Sequence, residues 1–160
     1  MTVDLDVLFR DHATPLLRLG VVLTGDRELA EELVQEAFVR YSRARSTPAP
    51  GAERTYLRRI VLNLSHAHHR HLRVVRGRVP DHPGTAEGAE HEALRRDGER
   101  QVAEAVRALP PRQRDCVVLR YYADLGDAEI ADTLGISAGS VKTHLHRARA
   151  TLAECLEVLR

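Results

Sequence analysis

Residues 127–152, DAEIADTLGISAGSVKTHLHRARATL, constrain the fold more than any other part of the chain. Apolar residues at helical spacing predict a short helix that ends near Leu134, and a second helix follows a tight turn. Gly135 can take the left-handed conformation in which many helices end, and Ser137 can cap the free amides of the second helix. The pattern is that of a helix-turn-helix.

The second helix of this pair has one apolar stripe and an opposite face that is small, polar and basic. Residues 134–152 contain no acid. Any amphipathic helix has a solvated polar face, but the acid-free composition and the preceding turn favour DNA as the partner. Small residues let a helix approach a groove, and hydroxyl, imidazole and guanidinium groups can bond phosphates or base edges. The residues predicted to bind DNA are Ser140, Lys142, Thr143, His146 and Arg147.

The charges are segregated along the chain, although the net charge is only +1. Residues 54–80 contain seven arginines and no acid, whereas residues 81–106 contain seven acids and three arginines. Glycines and prolines interrupt the polar stretch VPDHPGTAEGAEHE, which predicts a flexible acidic linker. No sustained alternation predicts a strand. We therefore expect an all-α protein with two small helical domains, 1–76 and 94–160, joined by a linker over 77–93.

Three helices are predicted in the first domain. The first helix ends near Thr24 and Gly25, and Asp26 caps the second. The loop STPAPG precedes a third helix, which has a basic outer face. The first helix carries an apolar stripe that we expect to be buried, formed by Leu5, Leu8, Phe9, Leu16, Leu19 and Leu23.

Cysteine usage and hydropathy point to a cytoplasmic protein. Cys116 and Cys155 are far apart and fall at apolar positions of helical patterns, so both are expected to be small buried hydrophobes in a reducing compartment. No apolar stretch is long enough to cross a membrane, and no charged start leads into an apolar run.

Four closely spaced histidines, His66, His68, His69 and His71, resemble a metal-binding tract. On one helix they cannot all converge on one ion, and no cysteine or carboxylate lies near in the sequence to complete a ligand set. We expect His66 and His69 to face phosphate and the other two to pack at the helix edge. No metal, cofactor or catalytic arrangement of nucleophile and base is expected, so the protein is not predicted to be an enzyme.

The segment LPPRQRDCVVLRYYADLGDAEIADTLGISAGSVKTHLHRARATL resembles the promoter-distal DNA-binding domain of bacterial sigma factors of the short, extracytoplasmic-function type of the sigma-70 family. In the front half, LTGDRELAEELVQEAFVRY is similar to that family's polymerase-docking helix, and TYLRRIVLNLSHAHHRHLR to its promoter-melting helix. The resemblance implies promoter-specific initiation of transcription, with core RNA polymerase, promoter DNA and an anti-sigma protein as partners.

The resemblance also implies roles for single residues. The docking helix would bind polymerase through Glu28, Glu32, Gln35 and Glu36. The third helix would recognise and melt the minus-10 element through Arg58, Arg59, Asn63, His66, Arg70 and Arg73. The five residues of the last helix would read the minus-35 element. Three positions depart from the family pattern: Tyr56 and Ser42 stand where tryptophan is common, and SHAHHR replaces the acid usual after the asparagine.

A second function class fits part of the same pattern. A stand-alone helix-turn-helix regulator could use its front half as a protein-interaction surface. Only a sigma factor needs both an acidic docking face and a basic melting face, and the sequence carries both.

Overall fold

The computed structural model describes residues 4–46, 48–76 and 90–158, and for residues 76, 90–96 and 158 it describes the backbone alone. Over these ranges the chain forms seven α-helices and no strand, which confirms the all-α prediction. Most of the linker predicted over 77–93 lies outside the described residues, and the fourth helix begins at Glu90. The helices are α1 Leu5–Thr24, α2 Arg27–Arg43, α3 Glu53–Arg76, α4 Glu90–Ala108, α5 Pro111–Tyr121, α6 Asp127–Leu134 and α7 Ala138–Val158.

The junction of α1 and α2 follows the predicted end signals. Gly25 ends α1 in the left-handed conformation, with φ of 72°, and its amide donates to the carbonyl of Val21. The carboxylate of Asp26 then accepts from the amide of Leu29 at 3.2 Å and caps α2. The chain therefore reverses within two residues, which brings the two helices side by side.

Helices α1, α2 and α3 pack as one bundle. Gly20 lies so close to α2 that a Cβ added to it would stand 3.0 Å from the Cβ of Ala30. Leu23, Leu57 and Val61 are fully buried between the helices. Burial of such aliphatic side chains stabilises the fold by about 1.5–3 kcal/mol each.

The N-terminal half of α1 departs from the predicted buried stripe. Leu8, Leu16, Leu19 and Leu23 are buried as expected, but Leu5 is 41% and Phe9 48% exposed. The ring of Phe9 packs at a tilt against that of Phe38, with centroids 4.9 Å apart, and about half of Phe9 stays exposed. The prediction was wrong for these two residues, because neighbouring side chains enclose neither of them.

Helices α4 to α7 form the second group, with the helix-turn-helix of α6 and α7 resting on α5. Ile130, Val118 and Val141 are fully buried there. The two cysteines differ: Cys116 is buried, and burial raises the pKa of its thiol to about 11, whereas Cys155 is exposed. The prediction of a buried hydrophobe therefore holds only for Cys116, because the C-terminal end of α7 runs past the core.

The two groups of helices contact each other. Helix α3 packs against α6, and α1 packs against α4 and α5, so the apolar cores form one continuous cluster. None of the helices in the described parts of the chain is long and apolar enough to cross a membrane.

Candidate nucleic-acid interface

The turn between α6 and α7 has the predicted geometry. Gly135 is left-handed, with φ of 65°, and its amide donates to the carbonyl of Ala131. The hydroxyl of Ser137 accepts from the amide of Ser140 at 3.0 Å, so it caps α7 as expected. These two end signals fix the angle at which α7 leaves α6.

The outward side of α7, which we call the reading face, consists of Ser140, Lys142, Thr143, His146 and Arg147. Lys142, Thr143, His146 and Arg147 are exposed, and Ser140 is partly exposed because its hydroxyl contacts that of Ser137 at 2.9 Å. The opposite stripe is buried at Val141, Leu145 and Ala148. The reading face of α7 thus presents hydrogen-bond donors and cations, and no acid, while the opposite side of the helix is buried in the core.

A second surface lies on α2 and is called here the docking face: Glu28, Glu32, Gln35 and Glu36. All four side chains are exposed. Glu36 accepts from the guanidinium of Arg40 at 2.8 Å, which neutralises part of its charge. Val39 is also exposed, at 38%, so an apolar side chain borders the carboxylates.

The third surface lies on α3 and is called the minus-10 face: Arg58, Arg59, Asn63, His66, Arg70 and Arg73. Asn63, Arg70 and Arg73 are exposed and open to solvent, as predicted. Arg59 and His66 are not free, because both bond to the second group of helices. Arg59 donates through Nη2 to the carbonyl of Asp132 at 2.6 Å, and the Nε2 of His66 lies 3.0 Å from Oδ1 of Asp115.

The histidine tract behaves differently from the prediction. His66 and His69 were expected to face phosphate, yet His69 donates from Nε2 to the carbonyl of Leu23 at 3.2 Å and is partly buried. Burial lowers the pKa of His69, although the Leu23 carbonyl opposes this shift. His68 is partly buried, while His71 is exposed rather than packed at the helix edge. Neither the tract nor any other group in the described residues brings together three potential metal ligands.

Cations crowd the start of α3. Arg58 is half-buried, and its pKa is lowered first by burial and then by the neighbouring charge of Arg54. The pKa of His12 is lowered by burial and by the same Arg54. These three side chains line a cavity of about 200 Å³ between the helix groups. Arg58 therefore points into the space between the two groups rather than away from them.

Tyr56 occupies the position at which the resemblance led us to expect tryptophan. Its ring packs edge-on against Tyr41 with centroids 5.9 Å apart and stays partly exposed. An aromatic surface is thus present beside the minus-10 face despite the substitution. Sequence reasoning gave no role to Asp115, because a contact across 49 positions leaves no periodic signal.

Comparisons with known proteins agree with this arrangement. The family model for sigma-70 region 2 matches residues 8–75, and a model for sigma-70 region 4 matches residues 99–152. The first match contains α2 and nearly all of α3, and the second contains the helix-turn-helix. The two matches therefore define a sigma factor that contains regions 2 and 4 of the sigma-70 family.

Among curated proteins, the RNA polymerase sigma-E factor of Streptomyces antibioticus is 32% identical over 155 residues, which cover 96% of this chain and 85% of that protein. The ECF RNA polymerase sigma factor SigE of Mycolicibacterium smegmatis is 34% identical over 159 residues, and the alignment covers 94% of this chain but 61% of that longer protein. The chain belongs to the sigma-70 family, in its extracytoplasmic-function group.

Solved structures show the same fold. The sigma factor RpoE of Bartonella quintana, solved with the anti-sigma factor NepR, superposes with a TM-score of 0.67 at 22% identity, covering 96% of this chain and 99% of that one. CnrH, solved with the cytosolic domain of CnrY, gives 0.72 at 24% identity, covering 96% and 88%. The stand-alone regulator is not favoured, because the front half matches region 2 as a whole.

Proposed function

We propose that this protein docks on core RNA polymerase through α2, opens the minus-10 element with α3 and reads the minus-35 element with α7. One observation carries the proposal: a single chain presents an exposed acidic docking face together with two acid-free basic faces on separate helices. A DNA-binding regulator without a polymerase partner has no need of the first face.

The docking face suits a basic protein surface. Glu28, Glu32 and Gln35 have no bonded partner among the described side chains, so their charge and hydrogen-bonding capacity are available. Exposed charges of this kind steer association more than they add affinity. The bordering Val39 supplies apolar area, which a stable interface also requires.

The minus-10 face contains arginines that can attract DNA phosphates and a carboxamide that can recognise a base. Arg70 and Arg73 are exposed cations that can approach DNA phosphates. The carboxamide of Asn63 offers a donor and an acceptor to the edge of an unstacked base. Unstacking a base costs a few kcal/mol, and the partly exposed ring of Tyr56 gives that base an aromatic surface on which to stack.

Two cations of the reading face are proposed to have different roles, one in binding the DNA backbone and one in recognising a base. We place Lys142 against phosphate, so Lys142→Ala should weaken binding to all sequences alike and reduce the salt slope by about 0.9. We place Arg147 against a guanine, so Arg147→Ala should cost about 1–3 kcal/mol on the preferred site and relax one position. Site selection with both variants distinguishes the roles, and an unchanged preference for Arg147→Ala would assign that arginine to phosphate as well.

Three broader features complete the proposal. Residues 1–76 and 94–160 act as separate recognition domains joined by 77–93, and the protein works in the cytoplasm, where its polymerase partner would be. It has no catalytic role of its own. An anti-sigma protein is a further partner, by analogy with RpoE and CnrH, whose solved structures contain NepR and the cytosolic domain of CnrY.

The decisive experiment adds the purified protein to core RNA polymerase and a library of genomic fragments, and maps the transcripts formed. We expect initiation from a small set of fragments that share two spaced elements. Core polymerase alone and core polymerase with the Lys142→Ala variant serve as controls. Absence of transcripts, together with unaided sequence-specific binding to DNA, would instead support the stand-alone regulator.

A further inference from the structure

The cavity of about 200 Å³ between the helix groups, called here the cationic cavity, is lined by basic side chains and by no acid of the described residues. His12 and Arg18 come from α1, and Arg54 and Arg58 from the first two turns of α3. Tyr122, which follows α5, adds a phenol group, and apolar side chains complete the lining. The cavity therefore offers several hydrogen-bond donors and positive charges to whatever enters it.

The two arginines of α3 are placed unfavourably for cations. Arg54 and Arg58 are four residues apart on one side of the helix, where like charges repel, and they lie near its N-terminal end, where the helix dipole disfavours a cation. Arg58 is half-buried, and its pKa is lowered first by burial and then by Arg54, although Glu129 partly opposes the shift. Neither arginine forms an ion pair or a hydrogen bond with another described residue. A bound anion would compensate all of these costs.

His12 lines the same cavity and carries an unpaired polar atom. Its Nδ1 is buried and has no hydrogen-bond partner in the described part of the chain, whereas buried polar atoms in proteins are nearly always bonded. Burial and then Arg54 lower the pKa of His12, while Asp11 and Glu53 oppose the shift. The imidazole is therefore mainly uncharged at neutral pH, and it can donate one hydrogen bond to a ligand oxygen.

A phosphate group matches the cationic cavity in charge, size and acceptor number. Its oxygens accept hydrogen bonds in several directions, and guanidinium groups bind phosphate with two parallel hydrogen bonds. The donors of the cavity come from two helices, so a group with oxygens on all sides can reach more of them than a planar carboxylate can. The volume lies below the range of about 300–1,000 Å³ that is usual for sites of larger ligands, so the cavity holds one end of a ligand rather than the whole of it.

A larger cavity of about 560 Å³ adjoins the cationic cavity, since Arg54 and Arg58 line both. It differs in charge, because the carboxylates of Glu53, Asp124 and Glu129 also line it. Carboxylates accept hydrogen bonds from hydroxyl groups and repel phosphate. The two cavities together therefore orient a ligand that has a phosphate at one end and hydroxyl groups at the other.

We propose that the two adjoining cavities bind a phosphate ester of a polyhydroxy compound, with its phosphate against Arg18, Arg54 and Arg58 and its hydroxyl groups against the carboxylates of the larger cavity. Sugar phosphates and nucleotides share this chemistry. Among the described residues no aromatic side chain lines the larger cavity, so a base would find no ring on which to stack there. We therefore expect a sugar phosphate to bind more tightly than a nucleotide. The inference does not depend on the DNA-binding roles proposed above.

Calorimetric titration of the whole protein in a low-salt, phosphate-free buffer tests the ligand class. The probes are glucose-6-phosphate, adenosine monophosphate, inorganic phosphate and glucose. We expect glucose-6-phosphate to bind with a dissociation constant below about 1 mM and about tenfold more tightly than inorganic phosphate, and glucose not to bind. Tighter binding of adenosine monophosphate would identify a nucleotide as the source of the phosphate. Absence of binding by both esters would overturn the site, and equal affinity for inorganic phosphate would overturn the role of the larger cavity.

Charge-removing variants test the phosphate end of the site. Arg18→Gln and Arg54→Gln should each weaken the better ester by about tenfold. Arg10→Gln is the matched control, since Arg10 is exposed on the same helix as Arg18, loses the same charge and lines neither cavity. All three arginines are exposed, and urea unfolding without ligand verifies that each variant remains folded. Equal weakening in Arg10→Gln would show attraction by net charge alone and overturn the site.

Asp124→Gly tests the hydroxyl end of the site. Asp124 has a φ of 54°, which glycine adopts without strain, so this variant removes the carboxylate and leaves the backbone intact. We expect the affinity for the better ester to fall by about tenfold, while the affinity for inorganic phosphate stays the same or rises. An unchanged affinity for the ester would overturn the assignment of its hydroxyl groups to this cavity.

The titration of His12, followed by nuclear magnetic resonance and assigned with His12→Gln, locates the bound phosphate. A phosphate in the cationic cavity favours the charged imidazole, so the pKa of His12 should rise when the ester is bound. The Arg10→Gln variant should show the same rise. An unchanged pKa at a saturating concentration of ester would place the ligand elsewhere and overturn the site.

Discussion

Replacement of Gly135 should destabilise the protein through backbone strain alone. Its φ is 65°, a conformation that costs a residue with a side chain about 1–2 kcal/mol. No atom lies within 4 Å of the Cβ that alanine would add, so no steric clash contributes. Alanine also restricts the unfolded chain, which offsets about 0.4–1 kcal/mol. We therefore expect Gly135→Ala to lower the free energy of unfolding by about 1 kcal/mol.

The side chain placed at Gly135 should set the size of the effect. Asparagine tolerates the left-handed region, so Gly135→Asn should cost less than Gly135→Ala, and the β-branched Gly135→Val should cost most. Gly139→Ala is the matched control. It lies in right-handed helix with its nearest neighbour, Oγ of Ser137, at 3.8 Å, so the added methyl should stabilise the chain by about 0.5–1 kcal/mol.

Urea unfolding followed by circular dichroism measures these differences, and in a chain of this size each kcal/mol shifts Tm by about 2–4 °C. The variants also test the interface, since the turn at Gly135 sets the direction of α7. A midpoint for Gly135→Ala equal to or above that of the parent, or a larger loss for Gly135→Asn than for Gly135→Ala, would refute the argument from backbone strain.

Three further predictions concern the other surfaces. Reversal of charge at Glu32 together with Gln35→Ala should weaken binding to core polymerase and leave DNA binding by residues 94–160 unchanged; unaltered holoenzyme assembly would contradict it. Asn63→Ala should slow promoter opening in permanganate footprints while closed-complex affinity stays nearly intact, because one base contact is a small part of a salt-dependent total. Burial lowers the pKa of His69 in the folded protein. In the unfolded chain this histidine takes up a proton below its ordinary pKa of 6.5, whereas in the folded protein it does so only at a lower pH. The contribution of His69 to the free energy of unfolding is therefore fully present above pH 6.5 and decreases below it. Urea midpoints between about pH 7.5 and about pH 5.5 should decrease less in His69→Gln, and an equal decrease would exclude His69 as a cause.

Local signals in the sequence determined the helices and most of their ends. Gly25, Asp26, Gly135 and Ser137 act through their own backbone or through hydrogen bonds to residues a few positions away, so their effects can be inferred without knowledge of the fold. Helical periodicity likewise identified the exposed sides of α2 and α7. The sigma-70 resemblance was confirmed by region 2 and region 4 matches over residues 8–75 and 99–152.

Only the tertiary structure determined which predicted outer surfaces are covered. Periodicity assigns a side of a helix to the interior or to solvent, but it does not report how far a neighbouring helix extends. Leu5 and Phe9 were therefore expected inside and lie exposed, while Arg59 and His66 were expected outside and are bonded to α6 and α5. Those bonds join residues 49 and 74 positions apart, and such pairings are set by the packing of whole helices rather than by the local sequence.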